Sequence, residues 1–176
     1  MPPTSLPKYT ERSAVVSDCG RYRYVLSRSW GGGDTLVWCM LNPSRADGTI
    51  DDRTLARCVG YARAWNYGGL VLVNLFALRS TDPAALVSAA DPVGPDNDRH
   101  LVEQASGRRV VCAWGATVTG SRRPTLRDRP GEVLRLLRPV AAELCCLGLT
   151  SGGEPLHPLR LKADLRPVPF AGRDRA

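Results

Sequence analysis

The chain has 176 residues, 43% of them hydrophobic, a length that suits one domain and a composition that can build one core, which excludes a mainly disordered polymer. Two of its 24 basic residues, Lys8 and Lys162, are lysine and the other 22 are arginine; against 17 acidic residues they leave a formal charge of +7, which fits a polyanionic partner as well as a merely arginine-rich surface. With two histidines, no lysine behind a glycine and no G-x-S-x-G, the sequence excludes a three-histidine metal site, a P-loop and the usual serine-hydrolase elbow.

The proline-rich start, residues 1–11, and the tail, residues 168–176, read as irregular ends around a single domain over 12–167. Residues 22–30 and 35–41 are β-rich runs divided by Gly31-Gly32-Gly33-Asp34, which predicts an antiparallel hairpin. Leu55, Val59, Ala62 and Trp65 then recur at helical spacing behind Asp51-Asp52, a pair able to cap that helix. Residues 70–76, 109–114 and 143–149 are short, nearly continuous apolar runs, as strands covered on both faces are. Helical spacing fills the gaps at 83–90, 96–106 and 131–140, with Pro83 suited to a first turn. The alternation predicts an α/β fold, a mainly parallel sheet flanked by helices with the hairpin at one edge.

Six cysteines sit mostly in apolar runs and none forms C-x-x-C, so neither a disulfide framework nor a zinc ribbon is expected, and no cofactor or metal is implied. No apolar stretch approaches 18 residues and no leader is visible, which predicts a cytoplasmic protein without a membrane partner. Oligomeric state is not legible.

In open parallel sheets ligands bind beyond the carboxyl ends of the strands. The residues to read are therefore Asn42 and Ser44, Asn74 and Phe76, Trp114, and the stretch from Thr150 to Pro158. Asn74 closes an apolar run, where a carboxamide either reads the edge of a nucleobase or caps the strand end. His157 can donate to a group departing as an anion, or satisfy its own loop. Asp51 and Asp52 are either an acid and base pair or helix caps; consecutive helix residues do not face each other, and Asp47 is a weaker substitute. Trp65, Tyr67, Phe76 and Trp114 are the aromatics near these ends, Trp65 fitting a core stripe. Arg45, Arg53, Arg79, Arg122 and Arg123 lie at loops or helix starts, to meet phosphates or to form a solvated face.

Residues 22–161 resemble an intracellular bacterial family catalogued only as a domain of unknown function. The resemblance rests on Met40-Leu41-Asn42-Pro43-Ser44-Arg45-Ala46-Asp47, Asp51-Asp52, Val73-Asn74-Leu75-Phe76-Ala77, Trp114-Gly115 and His157-Pro158-Leu159. More distantly, the order of strand-end motifs is similar to that of the uracil-DNA glycosylase superfamily: Leu41-Asn42-Pro43-Ser44 like its Asn-Pro motif, Val71-Leu72-Val73-Asn74 like its base-reading strand, Ala113-Trp114-Gly115 like its Trp-Gly end, and His157-Pro158 like its last motif, with Leu161 at the wedge spacing.

That resemblance implies a three-layer sandwich around four mainly parallel strands and hydrolysis of the N-glycosidic bond to a modified or damaged base. Asn42 would position water, His157 would stabilise the departing base, Asn74, Phe76, Ser44 and Trp114 would hold it, and Arg45, Arg79, Arg160 and Leu161 would face nucleic acid. DNA is preferred to RNA as partner, and the base would be rotated out of the stack. Asn42 stands where the most active members carry Asp, and Leu159 and Arg160 replace small polar residues or proline, so a slower or narrower enzyme is expected unless Asp51 or Asp52 contributes. The alternatives are a nucleic-acid or nucleotide-binding module without turnover, an N-glycosidase of small nucleosides or nucleotides, and an unrelated α/β enzyme of a small anionic metabolite.

Overall fold

A computed structural model describes residues 9–172. In chain order it forms β1 (Glu11–Val16), β2 (Arg23–Ser29), β3 (Thr35–Met40), α1 (Arg53–Ala64), β4 (Gly69–Asn74), α2 (Ala84–Ser88), α3 (Asn97–Ala105), β5 (Arg109–Cys112), α4 (Pro124–Arg127), α5 (Arg129–Leu137), β6 (Glu143–Cys146), a 3-10 turn (Pro158–Arg160) and β7 (Val168–Pro169). The strands make one mixed sheet of seven in the order β1-β2-β4-β3-β5-β6-β7. Its centre, β4-β3-β5-β6, is parallel, while the outer pairings, β1 with β2, β2 with β4 and β7 with β6, are antiparallel. The protein is thus α/β, with a sheet larger and more mixed than the four strands expected.

Continuous apolar strands follow from helices on both faces. Along β3, Leu36 and Trp38 point to a cluster with Leu55, Cys58, Val59 and Ala62 of α1, while Val37 and Cys39 point to one with Leu101 and Ala105 of α3 and Val133 and Leu137 of α5. Five of the cysteines are buried in these layers and Cys19 is exposed, all as free thiols.

Residues 22–30 and 35–41 do not form the expected hairpin, because β4 lies between β2 and β3. The glycine loop crosses the start of β4: Trp30 and Gly31 donate from their backbone N–H to the Gly68 carbonyl at 2.9 and 3.2 Å, and Gly68 donates to Asp34 at 3.0 Å. A Cβ on Gly68 would lie 2.6 Å from the Gly31 and Gly32 carbonyl oxygens, so this crossing needs a glycine there. The hairpin at the edge is β1 with β2, and it carries a β-bulge: Val15 faces Val25 but Val16 faces Arg23, leaving Tyr24 as the extra residue. Tyr22, Tyr24 and Val25 consequently all pack on the α3 side of the sheet. Order also reaches into the segments read as irregular ends, through β1 from Glu11 and through β7, after which Phe170 is buried. The rest of those expected ends, residues 1–8 and 173–176, lies outside the described residues.

Candidate active site

A cavity of about 560 Å³ opens at the carboxyl ends of the parallel strands. Its lining takes Arg23 from β2, Met40 from β3 with Asn42 and Ser44 just beyond, Leu72 and Asn74 from β4, Trp114 and Gly115 beyond β5, and His157, Arg160 and Leu161 from the loop and turn after β6. Asp52 and Thr54, at the start of α1, close one side.

Asn74 ends β4 opposite Met40 and is 2% exposed. Its carboxamide does not cap the strand. That work falls to Asn97, whose Nδ2 donates to the Asn74 and Leu75 carbonyls at 3.0 and 3.1 Å, and to Arg129, whose Nε donates to Leu75 at 2.8 Å. The Asn74 Nδ2 is left buried without a partner among the described residues. An unanswered buried donor is costly, and a lining position lets a ligand answer it.

Asn42 is used differently. Its Nδ2 donates to the carbonyls of Pro43 at 3.1 Å, Ser80 at 3.0 Å and Leu78 at 3.4 Å, clasping the loop after β3 to the loop after β4. Only its carbonyl oxygen is left for a water or ligand.

The two aspartates separate. Asp52 caps α1, its Oδ1 accepting from the Leu55 N–H at 2.8 Å, and lines the cavity. Asp51 is outside the lining: it accepts from the Tyr9 hydroxyl at 2.6 Å and the Arg28 Nε at 2.9 Å, and Arg28 is 0% exposed. Burial and the Asp51 carboxylate together push the Tyr9 hydroxyl well above its ordinary pKa. No acid and base pair of neighbouring carboxylates forms, because each aspartate serves a different face of the helix start.

His157 sits exposed at the cavity rim, beside Gly115, where an added Cβ would lie 3.8 Å from the His157 Cβ. The Leu159 N–H donates to its Nδ1 at 3.3 Å, so Nδ1 carries no proton and the neutral ring holds its proton on Nε2. Surrounding protein lowers the imidazole below its ordinary 6.5, with Asp52 opposing the shift. The result is a neutral N–H donor, fixed in tautomer. Trp114 is 1% exposed, its Nε1 donating to the buried Glu154 at 3.0 Å and its ring meeting Phe170 edge-on.

Other expected contacts lie elsewhere. Phe76 is wholly in the core on the α3 side, Arg79 donates to the Gly20 carbonyl at 3.3 Å, and Arg45 is exposed outside the lining. Leu161 does line the cavity, half-buried and packed against the α1 cluster, and its carbonyl accepts from Arg57. Among the described residues no group of three or more His, Cys, Asp or Glu could hold a metal ion.

Arg23 escaped the sequence reading. Alternation back from Leu26 would turn residue 23 toward the α3 side, and the bulge at Tyr24 re-aims it into the cavity. It is 3% exposed, its Nη1 donates to the Ala46 carbonyl, and its Nε has no partner. Burial lowers its pKa to about 10 despite Asp52 nearby, so it remains a cation at neutral pH. The available signal was an arginine between Tyr22 and Tyr24 in a β-rich run; the bulge had none.

No helix among the described residues is long and apolar enough to cross a membrane. No curated protein and no solved structure matches the chain. A family model does match, over residues 23–159, which takes in every element from β2 to β6, the first two residues of the 3-10 turn, and all the lining residues named above except Arg160 and Leu161. That span exceeds half of the chain, which therefore belongs to the family described as Protein of unknown function (DUF1643).

Proposed function

We propose that the protein hydrolyses an N-glycosidic bond between a base and a sugar. The observation that carries this reading is that a carboxylate (Asp52), an unspent amide (Asn74) and a neutral N–H donor (His157) gather around one cavity from three distant parts of the chain. Its size falls within the range of ligand pockets, roughly 300–1,000 Å³. The distant likeness to the uracil-DNA glycosylase superfamily agrees with four central parallel strands whose ends carry Asn42, Asn74 and Trp114.

In this mechanism the bond electrons leave with the base while positive charge grows on the sugar. Asp52 stabilises that charge and takes a proton from the attacking water, supplying what a neutral Asn42 cannot. The Asn42 carbonyl oxygen orients the water, the His157 Nε2–H donates to the base as it becomes an anion, and Asn74 takes an acceptor of the bound nucleoside. The base is that of DNA or of a free nucleotide. A second reading, a binding module without turnover, is favoured by one observation, the commitment of the Asn42 amide nitrogen to three backbone carbonyls.

The test is product. Incubation with modified-base oligonucleotides, nucleosides and nucleotides, followed by mass spectrometry, is expected to detect free base, and His157→Ala to slow release by roughly 10²-fold, the usual cost of one transition-state donor. Because surrounding protein lowers the imidazole, an inflection in the rate from His157 should fall below pH 6.5. Tight binding with no base released would instead establish the binding module.

A further inference from the structure

Two unanswered donors share one end of the cavity. Arg23 carries a buried charge with no ion pair among the described residues, and its Nε is unpartnered; the Asn74 Nδ2, on the adjacent strand, is unpartnered too. The backbone joins them closely, since the Arg23 N–H donates to the Ala77 carbonyl at 3.0 Å, three residues beyond Asn74. Burying an unpaired cation is among the costliest things a fold can do, and here a bulge in β2 turns it inward.

We propose that Arg23 and Asn74 form an anion subsite at this end of the cavity, and that the group it takes is the terminal phosphate of a small nucleotide. A guanidinium offers a planar fork of donors that matches the oxygens of a phosphate, and the amide adds one more donor. The choice of a terminal group follows from burial. A phosphodiester within a strand must leave the site in two directions and a terminal phosphate in one, which suits a guanidinium only 3% exposed.

The strand order sets the rest of the layout. From β2 to β5, where His157 overlies Gly115, is three strand positions, about 14 Å at ~4.8 Å per strand. The anion end and the leaving-group end are thus well separated, with Asp52 close enough to act electrostatically on both Arg23 and His157. Phosphate, sugar and base would lie in that order along the cavity. The placement of sugar and base rests on the glycosidase reading; the anion subsite does not.

The experiment is calorimetric binding by the full chain of the four common nucleosides, their 5′-monophosphates, inorganic phosphate, and an oligonucleotide without a terminal phosphate. At least one monophosphate is expected to bind about tenfold or more tighter than its nucleoside, with inorganic phosphate competing, and Arg23→Gln should abolish the difference. Equal affinity for nucleoside and monophosphate would overturn the subsite, and tightest binding of the oligonucleotide would overturn the small-ligand assignment. Should Arg23→Gln fail to fold, the wild-type contrast still decides. A phosphate preference without base release would leave the subsite standing and remove the hydrolase, while release from nucleosides and nucleotides alike would do the reverse.

Discussion

At position 42 the carboxamide does what a carboxylate cannot, because its Nδ2 donates to three carbonyl oxygens at once. Placing an aspartate at this position is therefore expected to harm the protein. Asn42→Asp sets a negative charge against the Pro43, Leu78 and Ser80 carbonyls and should lower stability by about 1–3 kcal/mol in denaturant titration without raising turnover. A gain in base release with unchanged stability would refute this role. Asn42 and Asn74 both line the cavity, and that they stand at strand ends was legible in the sequence. Which of them had a spare amide was not, since that depends on Asn97 and Arg129, more than twenty residues downstream.

At the scale of elements, α1 shows how a local signal and a tertiary one overlap. The apolar spacing behind Asp51-Asp52 places the helix, and Asp52 caps it as the sequence allows. Only the fold separates the pair, turning Asp51 to Arg28 and Tyr9 and Asp52 to the cavity. Since asparagine caps helices about as well as aspartate, Asp52→Asn should leave stability within a few tenths of a kcal/mol. Base release should nevertheless fall by about 10²-fold or more as the charge on the sugar loses its counterion. Melting curves and product assays on one preparation would check both halves; an active Asp52→Asn would remove the carboxylate from the chemistry. The misread hairpin belongs at this scale as well. A glycine run marks a turn, yet whether the next strand pairs at once or passes over another is decided by what fits beneath the loop, here Gly68.

For the whole molecule, part of the arginine excess is structural: Arg23, Arg28 and Arg129 are buried, and others tie backbone segments together. Arg123 donates to the carbonyls of Leu86, Val87, Ala89 and Ala90, tying the α2 region to the start of α4, and Arg129 and Arg57 hold carbonyls elsewhere. The far edge of the sheet is closed by β7 and by Phe170, buried against Trp114 beyond the end of the family match. Phe170→Ala is expected to cost about 3–5 kcal/mol by chemical denaturation, the range for truncating a buried aromatic. A loss within ~0.5 kcal/mol would mean that the tail adds nothing to the core.

Sequence by itself determined the α/β class, the central strands, the helix behind Asp52 and the strand ends on which Asn42, Asn74 and Trp114 stand, because periodicity and turn residues act over a few neighbours. Tertiary structure alone decided the strand order, the two added edges, the division of labour between Asp51 and Asp52, and the inward turn of Arg23. Those depend on which backbone groups remain unsatisfied once distant segments meet, and no local pattern of residues records that.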